Sequence, residues 1–165
     1  MGRKSVKENK SIYQQTREEL GYTREKAAEL IPGFSPERIE KLENGRVQIQ
    51  PEDVLLMAEY YRAPYLTSYY CANECPIGRV HSLRPVPKEL GQIGVETLNA
   101  LNQMNRSKDR LLEIVEDGSV RPDEYADFVE IKRVLDKIAL SVANLQLWVN
   151  EQIAKGKMQA PEKES

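Results

Sequence analysis

The side chains best equipped for chemistry in this chain are the thiols of Cys71 and Cys75 and the imidazole of His81. The cysteines form C-x3-C, with Glu74 between them and His81 six residues on. On a helix, positions i and i+4 share a face. Both thiols can then grip one metal ion, with His81 as a third ligand. A tetrahedral zinc site wants four ligands, and no obvious fourth exists. Pro76 also implies that a helix has stopped by about Cys75. The preferred reading is a pair of buried or half-buried reduced thiols, with a metal or redox site on Cys71, Cys75 and His81 as the alternative. Two cysteines are too few for a disulfide scaffold.

Catalysis has little to build on. The single histidine has no nucleophile or orienting carboxylate in its sequence context. Neither a P-loop nor a Gly-rich dinucleotide fingerprint occurs. The many carboxylates fall on helix faces that solvent would cover. No enzymatic activity and no cofactor are expected. The cluster Tyr60, Tyr61, Tyr65, Tyr69 and Tyr70 invites a pocket or a stacking surface. Its helical spacing favours the edge of a small core instead.

Charge and composition bound the partners. The chain has 165 residues, 40% hydrophobic and 30% charged, which suits a soluble helical protein of one ordinary domain or two small ones. No apolar run approaches the ~20 residues needed to span a bilayer. No secretory signal is visible behind the first ten residues, so a cytoplasmic location is expected. The net charge is −2, with twelve basic and twelve acidic residues in the first eighty positions. Strong phosphate binding needs a local basic surplus. The clearest candidate is the N-terminal arm, where Arg3, Lys4, Lys7 and Lys10 face only Glu8. A solvated terminus is the alternative.

The elements that must position these groups read as helices throughout. Apolar residues recur at helical spacing between closely set prolines and glycines, and no stretch alternates like a strand. A first helix runs from about Lys10 to Leu20 and stops at Gly21. A second is capped by Thr23. A third is capped by Ser35, has Pro36 in its first turn, and ends at Asn44-Gly45. A fourth starts at Pro51, with Val54, Leu55, Ala58 and Tyr61 as its inner stripe. A fifth covers Pro64 to about Cys71. Pro76, Gly78, Pro85 and Pro87 mark residues 77–87 as a linker.

Two longer helices follow, over Lys88–Glu116 and Asp123–Lys155. In the second, Phe128, Ile131, Leu135, Ile138, Val142, Leu145 and Val149 alternate three and four apart, a coiled-coil-like seam. Leu90, Leu101, Met104, Leu111 and Val115 answer it on the first, with Thr97 and Lys108 as interruptions. Leu140, Leu147 and Trp148 give the last helix a second apolar face. A lone hairpin buries too little. A homodimer through these helices is therefore expected, with packing inside the same chain as the alternative. The expected organisation is a first domain over 1–76, the linker, a hairpin over 88–156, and a disordered tail over 157–165.

Residues 21–46 carry the most specific pattern: Gly21, Thr23-Arg24, Ala28, Ser35, then Ile39-Glu40-Lys41-Leu42-Glu43-Asn44-Gly45. Ala28 is read as the small residue where the second helix crosses the third. Ile39 and Leu42 supply the buried stripe, leaving Pro36, Glu37, Arg38, Glu40 and Lys41 outward. The stretch resembles the helix-turn-helix of the phage-repressor and Cro (XRE-like) regulators, over about residues 10–72.

The resemblance implies an all-α, five-helix lambda-repressor-like domain that binds double-stranded DNA as a transcriptional regulator, a repressor of bacterial or phage type. Position by position it implies Thr23 and Arg24 at phosphate or the outermost base, Ser35 as cap, and Glu37, Arg38 and Lys41 toward the bases. Asn44 and Arg46 would bind phosphate beyond the helix. Arg38 or Lys41 would donate to guanine and Glu37 accept from cytosine N4. The turn Pro32-Gly33-Phe34-Ser35 is one residue longer than usual, and Glu37 stands where related proteins often have a neutral residue. From these departures comes the alternative: a non-enzymatic adaptor or antitoxin-like partner that keeps the fold but binds protein.

Overall fold

The computed structural model describes residues 10–159, and every regular element among them is helical. Arg3, Lys4 and Lys7 of the expected arm lie outside the described residues, as does the tail from residue 160. Lys10 lies inside and does not belong to a free arm: its ammonium pairs with Glu18 at 2.6 Å. The chain divides into two compact units. One takes the chain up to Ser82 and again from Asn150, and the other is Leu83–Val149.

The first unit contains α1 (Ile12–Glu19), α2 (Arg24–Leu30), α3 (Pro36–Glu43), α4 (Pro51–Tyr60), α5 (Tyr65–Asn73) and α6 (Gly78–His81). Local chemistry sets the ends of these helices. The hydroxyls of Ser11, Thr23 and Ser35 accept from the backbone N–H groups of Gln14, Lys26 and Arg38 at 3.3, 3.2 and 3.2 Å, which satisfies donors that an uncapped helix leaves orphaned. At the other end of α3, Gly45 N–H donates to Leu42 and Arg46 N–H to Lys41, with Gly45 at φ +66°. This pair of bonds closes the helix in the left-handed stop that favours glycine. The end of α4 uses the same bonds with Arg62 at φ +52° in the glycine position.

The core is Tyr13 of α1, Ala27 and Ile31, Ile39 and Leu42 of α3, Val54 and Met57 of α4, and Leu66 of α5, with Tyr61 beside them. Each fully buried Ile or Leu contributes about 1.5–3 kcal/mol. Two expected inner positions shift by a step. Ala27, not Ala28, is the fully buried small residue of α2. Leu55 is 60% exposed and Met57 takes its place in the stripe of α4, because the core meets the 54–57–58–61 face. Part of the expected linker is the short α6. Gly78 makes it possible: a Cβ there would lie 2.0 Å from the carbonyl oxygen of Cys71.

The second unit is built on α7 (Leu90–Val115) and α8 (Tyr125–Ala154), the last turn of α8 belonging to the first unit. Arg110 donates to Asp127 at 2.8 Å and Lys137 to Gln103 at 3.2 Å. As positions rise on α8 they fall on α7, so the helices are antiparallel, a hairpin. The face that α8 turns inward coincides with the expected seam only in part: Ile131 is buried, and Phe128, Ile138 and Val149 are half-buried. Ile131, Val134, Ser141, Asn144 and Leu147 are buried, whereas Leu135, Val142 and Leu145 are 41–59% exposed. On α7, Ile93, Ala100 and Ile114 are buried at heptad spacing. The buried face takes Leu147 from the second apolar face and adds the polar Ser141 and Asn144.

Candidate nucleic-acid interface

Helices α2 and α3 present the groups expected to meet DNA, and the residues behind them determine how those groups are held. Glu43, in the last turn of α3, is buried. It accepts from Arg17 of α1 through Nε at 2.5 Å and a terminal nitrogen at 2.9 Å, and from Arg24 Nε at 3.0 Å. Arg17 also donates to the Tyr22 carbonyl at 2.6 Å. Burial works against the Arg17 charge, but the bonds and charge of Glu43 outweigh it and hold the guanidinium above its ordinary range. One carboxylate thus clamps α1, α2 and α3 together through two guanidiniums. Residue spacing cannot reveal this clamp, since Arg17 and Glu43 lie 26 positions apart and each looks like a surface charge.

The expected contact residues divide into three groups. Thr23 and Ser35 are helix caps, their hydroxyls engaged with their own helices. Arg24, Arg38, Asn44 and Arg46 are tethered. Arg24 is held by Glu43. Arg38 donates to Asp53 of α4 at 2.7 Å, with its guanidinium 5.0 Å from the centre of the Phe34 ring. Asn44 and Arg46 both donate to Glu40 at 3.4 Å. Glu37 and Lys41 are exposed on the outer face of α3. Among the described residues, Lys41 is the one basic side chain of α2, α3 and the segment just after them without a carboxylate at ion-pair distance.

Glu37 sits in the first turn of α3. Its own backbone N–H, then the Ser35 hydroxyl, hold its carboxyl below the usual carboxylate range. It therefore faces solvent as a fixed negative charge. Asp53 was not expected in the site. It is buried, accepts from the Gln50 N–H at 3.3 Å, and aims Arg38 from the neighbouring helix. The only sign of it in the sequence is its place in the acidic first turn of α4.

The other candidate groups behave differently. Cys71 is exposed and Cys75 half-buried. The Cys75 sulfur accepts from the Gly78 N–H at 3.4 Å. Among the described residues no three His, Cys, Asp or Glu side chains come together as a metal would need, so Cys71, Cys75 and His81 do not converge. Of the clustered tyrosines, Tyr61 lies in the core and Tyr65 and Tyr70 pack against it, whereas Tyr60 is exposed. Tyr65 hydrogen-bonds Thr16, Tyr69 meets Tyr13 edge to face, and Tyr61 is buried.

Residues 14–65 match a family model described as a helix-turn-helix domain, the segment that α1–α4 and the approach to α5 occupy. No curated protein and no solved structure matches the chain.

Proposed function

We propose that the chain is a sequence-specific DNA-binding regulator of the phage-repressor and Cro kind, a non-enzymatic repressor that acts as a homodimer in the cytoplasm of a bacterium or its phage. The observation that carries this is the two-sidedness of α3. Ile39, Leu42 and Glu43 are buried, while Glu37 and Arg38 in the first turn and Lys41 in the last face outward. An α-helix so presented fits the major groove and meets base edges with its N-terminal half.

In this reading Lys41 donates to guanine and Glu37 accepts from cytosine N4. Arg38 reaches bases from a guanidinium that Asp53 and Phe34 have already aimed. Thr23, Arg24, Ser35, Asn44 and Arg46 border the phosphates. Dimerisation is supported by the stripe that the hairpin leaves outside. Leu98, Leu101, Leu112 and Val115 on α7 are 43–65% exposed, and Leu135, Val142 and Leu145 on α8 are similarly so. On α7 the pairs Leu98/Leu101 and Leu112/Val115 lie two heptads apart, and on α8 Leu135 and Val142 lie one heptad apart, which suits a self-complementary contact with a second copy. Among the described residues no helix is long and apolar enough to cross a membrane.

The pairing of nearly every cation on α2 and α3 with a carboxylate favours a second reading, a protein-binding adaptor or antitoxin-like partner on the same fold. Selection from random duplex DNA, read by fluorescence anisotropy over a salt series, separates the two. A regulator enriches a palindrome and loses affinity with salt, by a slope of about −0.9 for each phosphate neutralised. An adaptor enriches nothing and does not bind even at low salt.

A further inference from the structure

The seam between α7 and α8 is apolar toward its ends and polar in the middle. Ile93 and Ile114 on one side and Ile131, Val134 and Leu147 on the other are buried hydrophobics. Between them α8 buries Ser141, 5% exposed, and Asn144, 2% exposed, across from Ala100. A cavity of about 240 Å³ lies at this point. A buried hydroxyl or amide costs free energy unless its hydrogen bonds are made.

The hydrogen bonds of the cavity wall leave a definite remainder. Asn144 accepts from the Val86 N–H at 3.0 Å through its oxygen, and among the described residues its amide N–H groups meet no acceptor. The Ser141 hydroxyl likewise meets no protein partner among them, although the residue is more than nine-tenths buried and lines the cavity. Glu96 is already neutralised, since Lys88 donates to both its oxygens at 2.7 and 2.8 Å and Gln92 adds a bond at 3.0 Å. Lys137, also in the wall, donates only to the Gln103 amide oxygen. No carboxylate lies at ion-pair distance from it among the described residues. What remains unspent is one cation, one hydroxyl and one amide N–H₂, all on α8 and all on one cavity.

We propose that this cavity binds a small organic acid, its carboxylate on the Lys137 ammonium and a second oxygen against Ser141 Oγ and Asn144 Nδ2. The volume is below that of pockets for drug-sized ligands, about 300–1,000 Å³, and so selects an acid of a few carbons rather than a nucleotide. The site belongs to the second unit alone and does not depend on whether α3 reads DNA.

The test is a titration of the full chain, without DNA, with succinate, malate, 2-oxoglutarate and glutamate, each separately, and with succinamide as the uncharged comparison. The readout is the side-chain N–H₂ signals of Asn144 and the backbone amides of α7 and α8. At least one acid should move these signals saturably while succinamide does not. Lys137→Gln, a change at an exposed side chain, should weaken that binding by about tenfold. Ser141→Leu, which fills the cavity, should abolish it. The proposal fails if no acid moves these signals in the folded chain, if the shifts lie outside α7 and α8, if succinamide binds equally well, or if Lys137→Gln leaves the affinity unchanged.

Discussion

The two units of this chain place their polar and apolar groups in different ways. In the first, charges go inside and are matched: Glu43 takes two guanidiniums, Asp53 takes one and caps α4, and the outer face of α3 is polar. In the second, Glu124 is likewise buried and matched by Arg121, but Ser141 and Asn144 go inside without full partners and leucines go outside. Buried charges are tolerable only when paired and hydrogen-bonded, and Glu43 and Asp53 meet that condition. Exposed heptad leucines and unspent buried donors are what a structure shows when further components complete it. The proposed contact between copies and the proposed acid site both draw on what the second unit leaves unmatched.

The sharpest way to break this comparison is Glu43→Gln. It removes the charge between Arg17 and Arg24 and leaves the buried Arg17 guanidinium with only the more distant Glu18, at 3.9 Å, as counter-charge. Such changes cost about 3–5 kcal/mol, enough to unfold a domain of ordinary stability. Urea unfolding followed by tyrosine near-ultraviolet circular dichroism should show that loss. Trp148, the chain's one tryptophan, lies in the second unit and reports separately on it. If Glu43→Gln costs less than a surface substitution, the first unit is not held by its buried charges.

The outer stripe gives the next largest effect. Each leucine buried in a contact between copies contributes about 1.5–3 kcal/mol. Leu98→Glu together with Leu112→Glu should therefore weaken self-association by a factor on the order of 100 or more. Helicity of the monomer should stay within about 0.5 kcal/mol of stability, as at other exposed sites. Sedimentation over a concentration series checks both. A chain that is monomeric before the change would make the stripe something other than a contact between copies.

Gly78→Ala tests how tightly the first unit is packed. The added carbon would meet the Cys71 backbone, which cannot swing aside as a side chain would. Overpacking of this kind costs about 1–3 kcal/mol, read as a lower Tm by about 4–8 °C for each kcal/mol in a small domain. An unchanged Tm would mean that α6 detaches from α5 at little cost and that the tight fit there is dispensable.

The same contrast explains what could be read in advance. Thr23, Ser35, Pro36, Gly21 and Gly45 announce the helix boundaries of the first unit because capping and left-handed stops depend on the residue itself and its near neighbours. The outward set of α3 follows from the placement of Ile39 and Leu42. The clamp on Glu43 and the tether of Arg38 on Asp53 were hidden, because a buried ion pair and a solvated one have the same residue types. The position of Ala27 against Ala28 was within one step, which is the limit of a period of 3.6. On α8 the pattern specified two stripes, and the buried face draws on both. The polar seam residues Ser141 and Asn144 gave no signal, since small polar residues are ordinary on helix surfaces.

The smallest effect is the most discriminating. Each unit contains a hydroxyl without a protein partner, on Tyr61 and on Ser141. Among the described residues, Tyr61 Oη is the one side-chain atom that is both sealed from solvent and unbonded. Burial, and then the charge of Glu43, push its ionisation well above the usual tyrosine range, so it stays neutral and gains nothing from titration. Tyr61→Phe removes the uncompensated group and keeps the ring, and should stabilise the first unit by up to about 1 kcal/mol. The Ser141 hydroxyl opens on a cavity, so Ser141→Ala should change stability by less than about 0.5 kcal/mol, while organic-acid binding weakens. If the two substitutions stabilise equally, both hydroxyls are packing defects, and the second unit loses the distinction on which its unspent polar groups were read as a site.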